Sequence, residues 1–287
     1  MPLDHSALNK YSSASDSGFG LISSKLVGLV QWSQGREPRL TGTVAMTSIG
    51  QKRLELSYDI PFYPPEVRRN ATFVGREDVL EQLKKNIEAG SGGADMHMVE
   101  VVLHGTGGMG KTQLALEYVY RHNEDYSSVF WVNAATEQSL KLGFTNIMQQ
   151  LIQYHAQLSL SDKPDYTEIG RLLGMTGKID AAGKFTVQQP AEEQYAIGAV
   201  KQWFAAKVNI KWLLVIDNLD DLESFDLSDY IPQCCHGTVI ITSRRPDCVR
   251  RRKGIEVLQM QDGEAENLLV KSANAKFENL APDGKRC

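Results

Sequence analysis

Apolar residues recur at two spacings along this chain. From Phe73 onward, short runs that are apolar at nearly every position alternate with longer stretches whose apolar residues fall three or four apart. The short runs are MHMVEVVLHG (96–105), SSVFWVNA (127–134), KWLLVIDN (211–218), GTVIITSR (237–244) and GIEVLQM (254–260). A strand that is apolar on both faces is covered on both, as in a parallel sheet. The longer stretches predict helices over 75–90, with Val79, Leu80, Leu83 and Ile87 in register and Gly90 as the stop, and over 111–122. Further helices are predicted over 136–155 (Leu140, Phe144, Ile147, Leu151, Tyr154), 165–175, 192–207 (Ala196, Val200, Phe204) and 263–277. Strands alternating with helices predict an α/β fold, a three-layer sandwich around a parallel β-sheet of about five strands.

Before Phe73 the pattern is weak. Residues 1–20 are rich in Ser, Asp and Gly, and residues 21–60 alternate only loosely. Residues 1–60 are therefore expected to form a poorly structured leader. PFYPPEVRRNAT (61–72) reads as a linker, since proline interrupts a packed helix. The expected units are thus 1–60, the linker 61–72, a globular domain over 73–275 and a tail over 276–287. No internal repeat is visible, so the chain is not itself a solenoid.

Composition narrows the functional classes. The chain has 287 residues and a net charge of −4, with 42% hydrophobic residues. That charge supplies no basic surface for nucleic acid or for an anionic membrane. No apolar run approaches a membrane span, and the N-terminus lacks a basic segment followed by an apolar one. The four cysteines, Cys234, Cys235, Cys248 and Cys287, form no C-x-x-C pair, so a reduced cytoplasmic setting is expected. The basic cluster from Arg244 to Lys253 reads as a solvated turn.

The chemistry concentrates in VVLHGTGGMGKTQLAL (101–116), where the glycines fit two templates. Gly105, Gly107 and Gly110 spell the dinucleotide fingerprint G-x-G-x-x-G, while Gly105, Gly110, Lys111 and Thr112 spell the phosphate loop G-x-x-x-x-G-K-[ST]. A dinucleotide fold needs an acid at the end of its second strand to hold ribose, and here that strand ends in Asn133. The phosphate loop needs an acid ending another buried strand, and KWLLVIDN supplies Asp217. The second template therefore wins, giving a P-loop NTPase. Gly105, Thr106, Gly107, Gly108, Met109, Gly110, Lys111, Thr112 and Gln113 are the predicted nucleotide cradle for ATP or ADP. The glycines turn backbone N–H groups inward around phosphate oxygens, and the following helix points its positive end at them. Lys111 neutralises the β- and γ-phosphates, and Thr112 and Asp217 hold Mg²⁺.

Hydrolysis needs more. Asn218 stands where many hydrolases place an acid that orients the attacking water, and Asn takes no proton. Asp220 and Asp221 are the candidates to replace it, the alternative being that both cap a turn. Arg244 ends the fourth strand, where a guanidinium faces the nucleotide crevice and reads the γ-phosphate; Arg245 is the alternative.

Together these motifs resemble the NB-ARC domain of the STAND class of P-loop NTPases, and within it fungal NOD-like receptors. FVGRED (73–78), GTGGMGKTQLA, SVFWVNA, WLLVIDNLDD and GTVIITSR carry the resemblance, which covers about residues 70–275. The resemblance implies that Phe73, Val74, Gly75 and Arg76 lie against adenine. It implies an ATP/ADP switch with slow hydrolysis, acting in innate immunity or cell death through homo-oligomers or full-length receptors. The family continues into a helical lobe, a winged helix and sensor repeats, none of which follows here, so the sequence reads as a truncated receptor or an incomplete gene product. A non-enzymatic interaction fragment and an AAA+-like DNA-handling ATPase are the alternatives.

Overall fold

A computed structural model describes residues 54–280, apart from 64, 66, 92–96, 160–162, 186–189 and 251. Most of the expected leader and residues 281–287 of the expected tail lie outside the described residues. The elements run α1 (Glu77–Ser91), β1 (Val99–His104), α2 (Lys111–His122), β2 (Ser128–Asn133), α3 (Glu137–Leu158), α4 (Tyr166–Leu172), α5 (Pro190–Ala205), β3 (Trp212–Asp217), β4 (Thr238–Ser243), β5 (Lys253–Glu256) and α6 (Asp262–Leu280). The five strands form one sheet in the order β2-β3-β4-β1-β5, and every pairing is parallel.

The strand runs are apolar throughout because both faces of the sheet are covered. Side chains alternate across a strand, so Trp212, Leu214 and Ile216 of β3 enter one core while Leu213 and Val215 enter the other. The first core packs β2, β3 and β4 against Phe144 and Leu151 of α3 and Val200 and Phe204 of α5. The second packs Val101 and Leu103 of β1 against Leu83 of α1 and Leu114 and Val119 of α2. This is the predicted three-layer α/β sandwich with a five-stranded parallel sheet. Helix α3 starts where Thr136 and Ser139 exchange hydrogen bonds, Ser139 N–H donating to Thr136 Oγ1 (3.1 Å) and Thr136 N–H to Ser139 Oγ (3.0 Å).

Two segments carry more contacts than their patterns suggest. Residues 54–60 fall in the expected leader, yet they lie on the first core. Ile60 is 3% exposed and donates its N–H to Ser127 O (2.8 Å). Tyr58 sits against Trp203, whose indole N–H donates to Ser57 O (3.3 Å). Ser57 N–H donates in turn to Nε2 of the buried His155 (2.9 Å). The proline-rich linker is also tied down. Arg69 makes a two-pronged contact with the buried Glu117 (3.0 Å each), which also accepts from Arg121 Nε (2.8 Å). Helix α6 runs to Leu280, past the expected helix end at 277 and the expected domain end at 275.

Candidate functional site

The site grows from the turn between β1 and α2. Gly105 holds φ 138°, and a Cβ there would stand 2.6 Å from Val257 O, so no side chain fits. Gly110, at φ 87°, is the residue before α2 and offers no side-chain cap. The first N–H groups of α2 are thereby left for a ligand, at the positive end of a 12-residue helix. Lys111 folds back over this turn. It is 8% exposed, and its Nζ donates to Gly105 O (2.7 Å) and Thr106 O (2.9 Å). Burial lowers its ammonium pKa below the usual lysine value, against the opposing pull of Asp220 and Asp217.

Beside Lys111 lies an acid with a fixed set of donors. Asp217, at the end of β3, is 2% exposed. Its Oδ1 accepts from Thr112 Oγ1 (2.8 Å) and from Thr242 Oγ1 (2.6 Å). Thr242 also accepts the Asn218 N–H (2.9 Å), and Asn218 Nδ2 approaches Asp217 Oδ2 (3.4 Å). Burial raises the Asp217 carboxyl above the usual aspartate value, while the two threonine hydroxyls pull it back. A threonine hydroxyl and a carboxylate are hard oxygen donors. Two protein ligands suit Mg²⁺, which keeps several waters and takes substrate phosphate oxygens.

Asp220 and Arg244 close the same space. Arg244 donates its backbone N–H to Asp220 Oδ1 (2.7 Å) and its Nε–H to Oδ2 (2.5 Å). Burial raises the Asp220 carboxyl, but the Arg244 amide and guanidinium, with Lys111, outweigh it and hold it below the usual range. Asp221 does something else: its Oδ1 accepts from the N–H groups of Glu223 (3.2 Å) and Ser224 (3.0 Å), capping a turn. It is not among the residues that line the cleft.

The cleft has two parts that meet at Gly108, Gly110 and Gln113. One, of about 410 Å³, holds the charged and hydroxyl groups and is lined by Gly107, Lys111, Thr112, Asn218, Asp220, Thr242 and Arg244. The other, of about 290 Å³, is mostly apolar and lined by Phe73, Val74, Arg76, Met109, Leu114, Gln259, Met260 and Leu268. A nucleotide divides the same way, into a charged phosphate end and a flat apolar base, so the residues present fit both the nucleotide and its metal. Gly75 lines neither part. Its φ is +69°, and a Cβ there would meet Glu264 Oε1 at 2.4 Å, the atom that accepts the Arg76 N–H (2.7 Å). That contact pins the start of α6 over the apolar half.

Sequence reading had no signal for Thr242, Gln259, Met260, Leu268 or Glu264. Thr242 looks like any strand residue until β4 is set beside β3, and the others follow from the path of the chain after β5. A further cleft of about 410 Å³ opens at the opposite, amino-terminal ends of the strands, between Ile87, Tyr118, Tyr126 and His236. No group of three or more His, Cys, Asp and Glu side chains that could hold a metal by themselves occurs among the described residues, and none of their helices is long and apolar enough to cross a membrane.

Comparisons with known proteins bear on this arrangement. The NB-ARC domain profile matches residues 76–278. A nucleotide-binding leucine-rich repeat (NLR)-like protein of the fungus Hyaloscypha variabilis is 24% identical over 221 residues, covering 71% of this chain. The chain spans 18% of that relative's length. Among solved structures, Cdc6p from Pyrobaculum aerophilum is 13% identical at a TM-score of 0.40, covering 76% of this chain and 53% of its own. Drosophila ORC bound to DNA is 15% identical at a TM-score of 0.40, over 91% of this chain and 65% of that one.

Proposed function

This chain belongs to the NB-ARC domain family, and we propose on that footing that it is an ADP/ATP-binding switch module which holds nucleotide and cleaves it slowly at most. The observation that carries the proposal is the two-part cleft around residues 107–113, which Gly105 and Thr106 do not line. Its polar half gathers a glycine turn, a buried lysine and a Thr112–Asp217 pair on one side of the helix terminus. Lys111 would leave the loop carbonyls for phosphate oxygens, exchanging neutral acceptors for charged ones. Phe73, Val74, Met109, Met260 and Leu268 would enclose the base. Bound Mg²⁺ would neutralise phosphate charge next to Thr112 and Asp217. Holding is favoured over cleaving by Asn218, which takes no proton, and by Asp220, whose two oxygens are both engaged by Arg244.

The wider role follows the same line. The fungal relative is NLR-like and much longer than this chain. We propose that residues 54–280 act as the switch unit of such a receptor or upon one, with a second copy or a longer receptor as partner, in the cytoplasm. A net charge of −4 gives the chain no overall attraction to DNA, so nucleic acid is not the proposed partner.

Titration calorimetry with ADP and with Mg-ATP tests the proposal. Both bind at one site per chain, and Lys111→Ala weakens each by about 100-fold or more, the scale of losing a desolvated charge contact. Binding by Lys111→Ala equal to wild type would overturn the site.

A further inference from the structure

Arg244 does not project freely into the cleft. Asp220 takes both its backbone N–H and its Nε–H, one on each carboxylate oxygen. Asp220 is itself held in place. Its N–H donates to Asn218 O (2.9 Å), and the neighbouring Leu219 N–H donates to Thr242 O (2.9 Å), tying the turn to β4. Ser243 Oγ lies 3.5 Å from Asp220 Oδ1 and donates to Leu219 O (2.5 Å). The carboxylate is therefore a fixed anion in the wall of a cleft whose other charged groups include Lys111 and Arg244. Two-thirds of the Arg244 side chain is exposed, so the guanidinium has room to exchange one anionic partner for another.

We propose that Asp220 is an electrostatic gate that sets the preference between nucleoside diphosphate and triphosphate. It holds Arg244 and opposes the additional phosphate. This rests on the nucleotide-binding reading above. A triphosphate brings one more anionic group into the polar half than a diphosphate does. That group meets Asp220 as a like charge and competes with it for the same guanidinium. The diphosphate asks neither of these, so the pair favours the diphosphate-bound form. Asp220 is on this account a specificity-determining residue and not the base that activates water: its oxygens are committed to Arg244, and no water-activating geometry is needed to explain them. Removing its charge both relieves the repulsion and releases Arg244.

The test is a double-mutant cycle on affinity, read without any turnover. Dissociation constants for ADP and Mg-ATP are measured on the full chain for wild type, Asp220→Asn, Arg244→Ala and the double variant, with Lys111→Ala as the control for the site. Asp220→Asn raises the ratio of ATP to ADP affinity about fivefold, the upper range for a partly exposed ion pair. In the Arg244→Ala background the same substitution moves the ratio by less than about twofold, because only the general charge effect remains. Should Asp220→Asn fail to fold, Asp220→Ser carries the same expectation. An unmoved ratio, or an equal shift with and without Arg244, overturns the gate while leaving the nucleotide site standing. Wild-type binding that is absent, or indifferent to Lys111→Ala, overturns the site and the gate together.

Discussion

At the scale of single residues, the site depends on one hydroxyl that the sequence does not advertise. Thr242 Oγ1 donates to Asp217 and accepts from Asn218 N–H, so it fixes both the buried acid and the turn that follows it. Thr242→Val keeps the shape and removes both bonds. It is expected to destabilise the protein by about 1–3 kcal/mol, the cost of leaving a buried acid short of a donor and a peptide N–H without its acceptor. Urea denaturation monitored by tryptophan fluorescence measures this; a change within about 0.5 kcal/mol of wild type would contradict it. Residue type and spacing were enough to nominate Lys111, Thr112 and Asp217, because each must have its own chemistry next to a phosphate. They were not enough for Thr242 or for the Asp220–Arg244 pair. Those contacts depend on β3 and β4 being neighbours in a given register, Ile216 beside Ile241, and spacing along one chain does not encode that. The same limit left Asp220 and Asp221 indistinguishable in the sequence, although one faces Arg244 and the other caps a turn.

At the scale of elements, periodicity was legible wherever a helix buries one face or a strand two. It was silent for residues 54–60, whose contacts run partly through backbone groups and need no repeating pattern. The strap they form is testable in two ways. A chain shortened to begin at residue 61 loses the buried Ile60 and the Tyr58–Trp203 contact. Its melting temperature is expected to fall by at least about 4 °C relative to one beginning at residue 53, since a buried Ile alone contributes about 1.5–3 kcal/mol. Equal melting temperatures would place the strap outside the cooperative unit. The second way uses pH. His155 donates through Nδ1 to Leu151 O (2.7 Å) and accepts the Ser57 N–H at Nε2, an arrangement that needs the neutral ring. Burial lowers its pKa in the folded state. Above the unfolded value of about 6.5 the ring is neutral in both states, and its contribution is fully present. As pH falls below that value the unfolded chain takes up a proton that the folded one resists, so stability is lost. Between pH 7.5 and 5.5 wild type is expected to lose up to about 1.4 kcal/mol more than His155→Gln, as read from denaturation midpoints. Parallel profiles would remove His155 from the account.

At the scale of the whole molecule, the class of fold was legible and the order of its strands was not. Alternating apolar runs and helices announce a covered parallel sheet, but not that β1 lies between β4 and β5. That order sets the carboxyl ends of β1, β3 and β4 together, and with them the glycine turn, Asp217 and Arg244. The apolar half of the cleft is assembled from still farther apart, residues 73–76 before the first strand and residues 259–268 after the last. No local window of sequence contains both. Whether an adenine nucleotide occupies this bipartite cleft is decided by photolabelling with an 8-azido-adenine nucleotide, followed by peptide mapping. Adducts are expected within residues 73–76 and 259–268, suppressed by excess ADP and lost in Lys111→Ala. Adducts around Tyr118 and Tyr126 in the cleft at the other end of the sheet, persisting in Lys111→Ala, would contradict it.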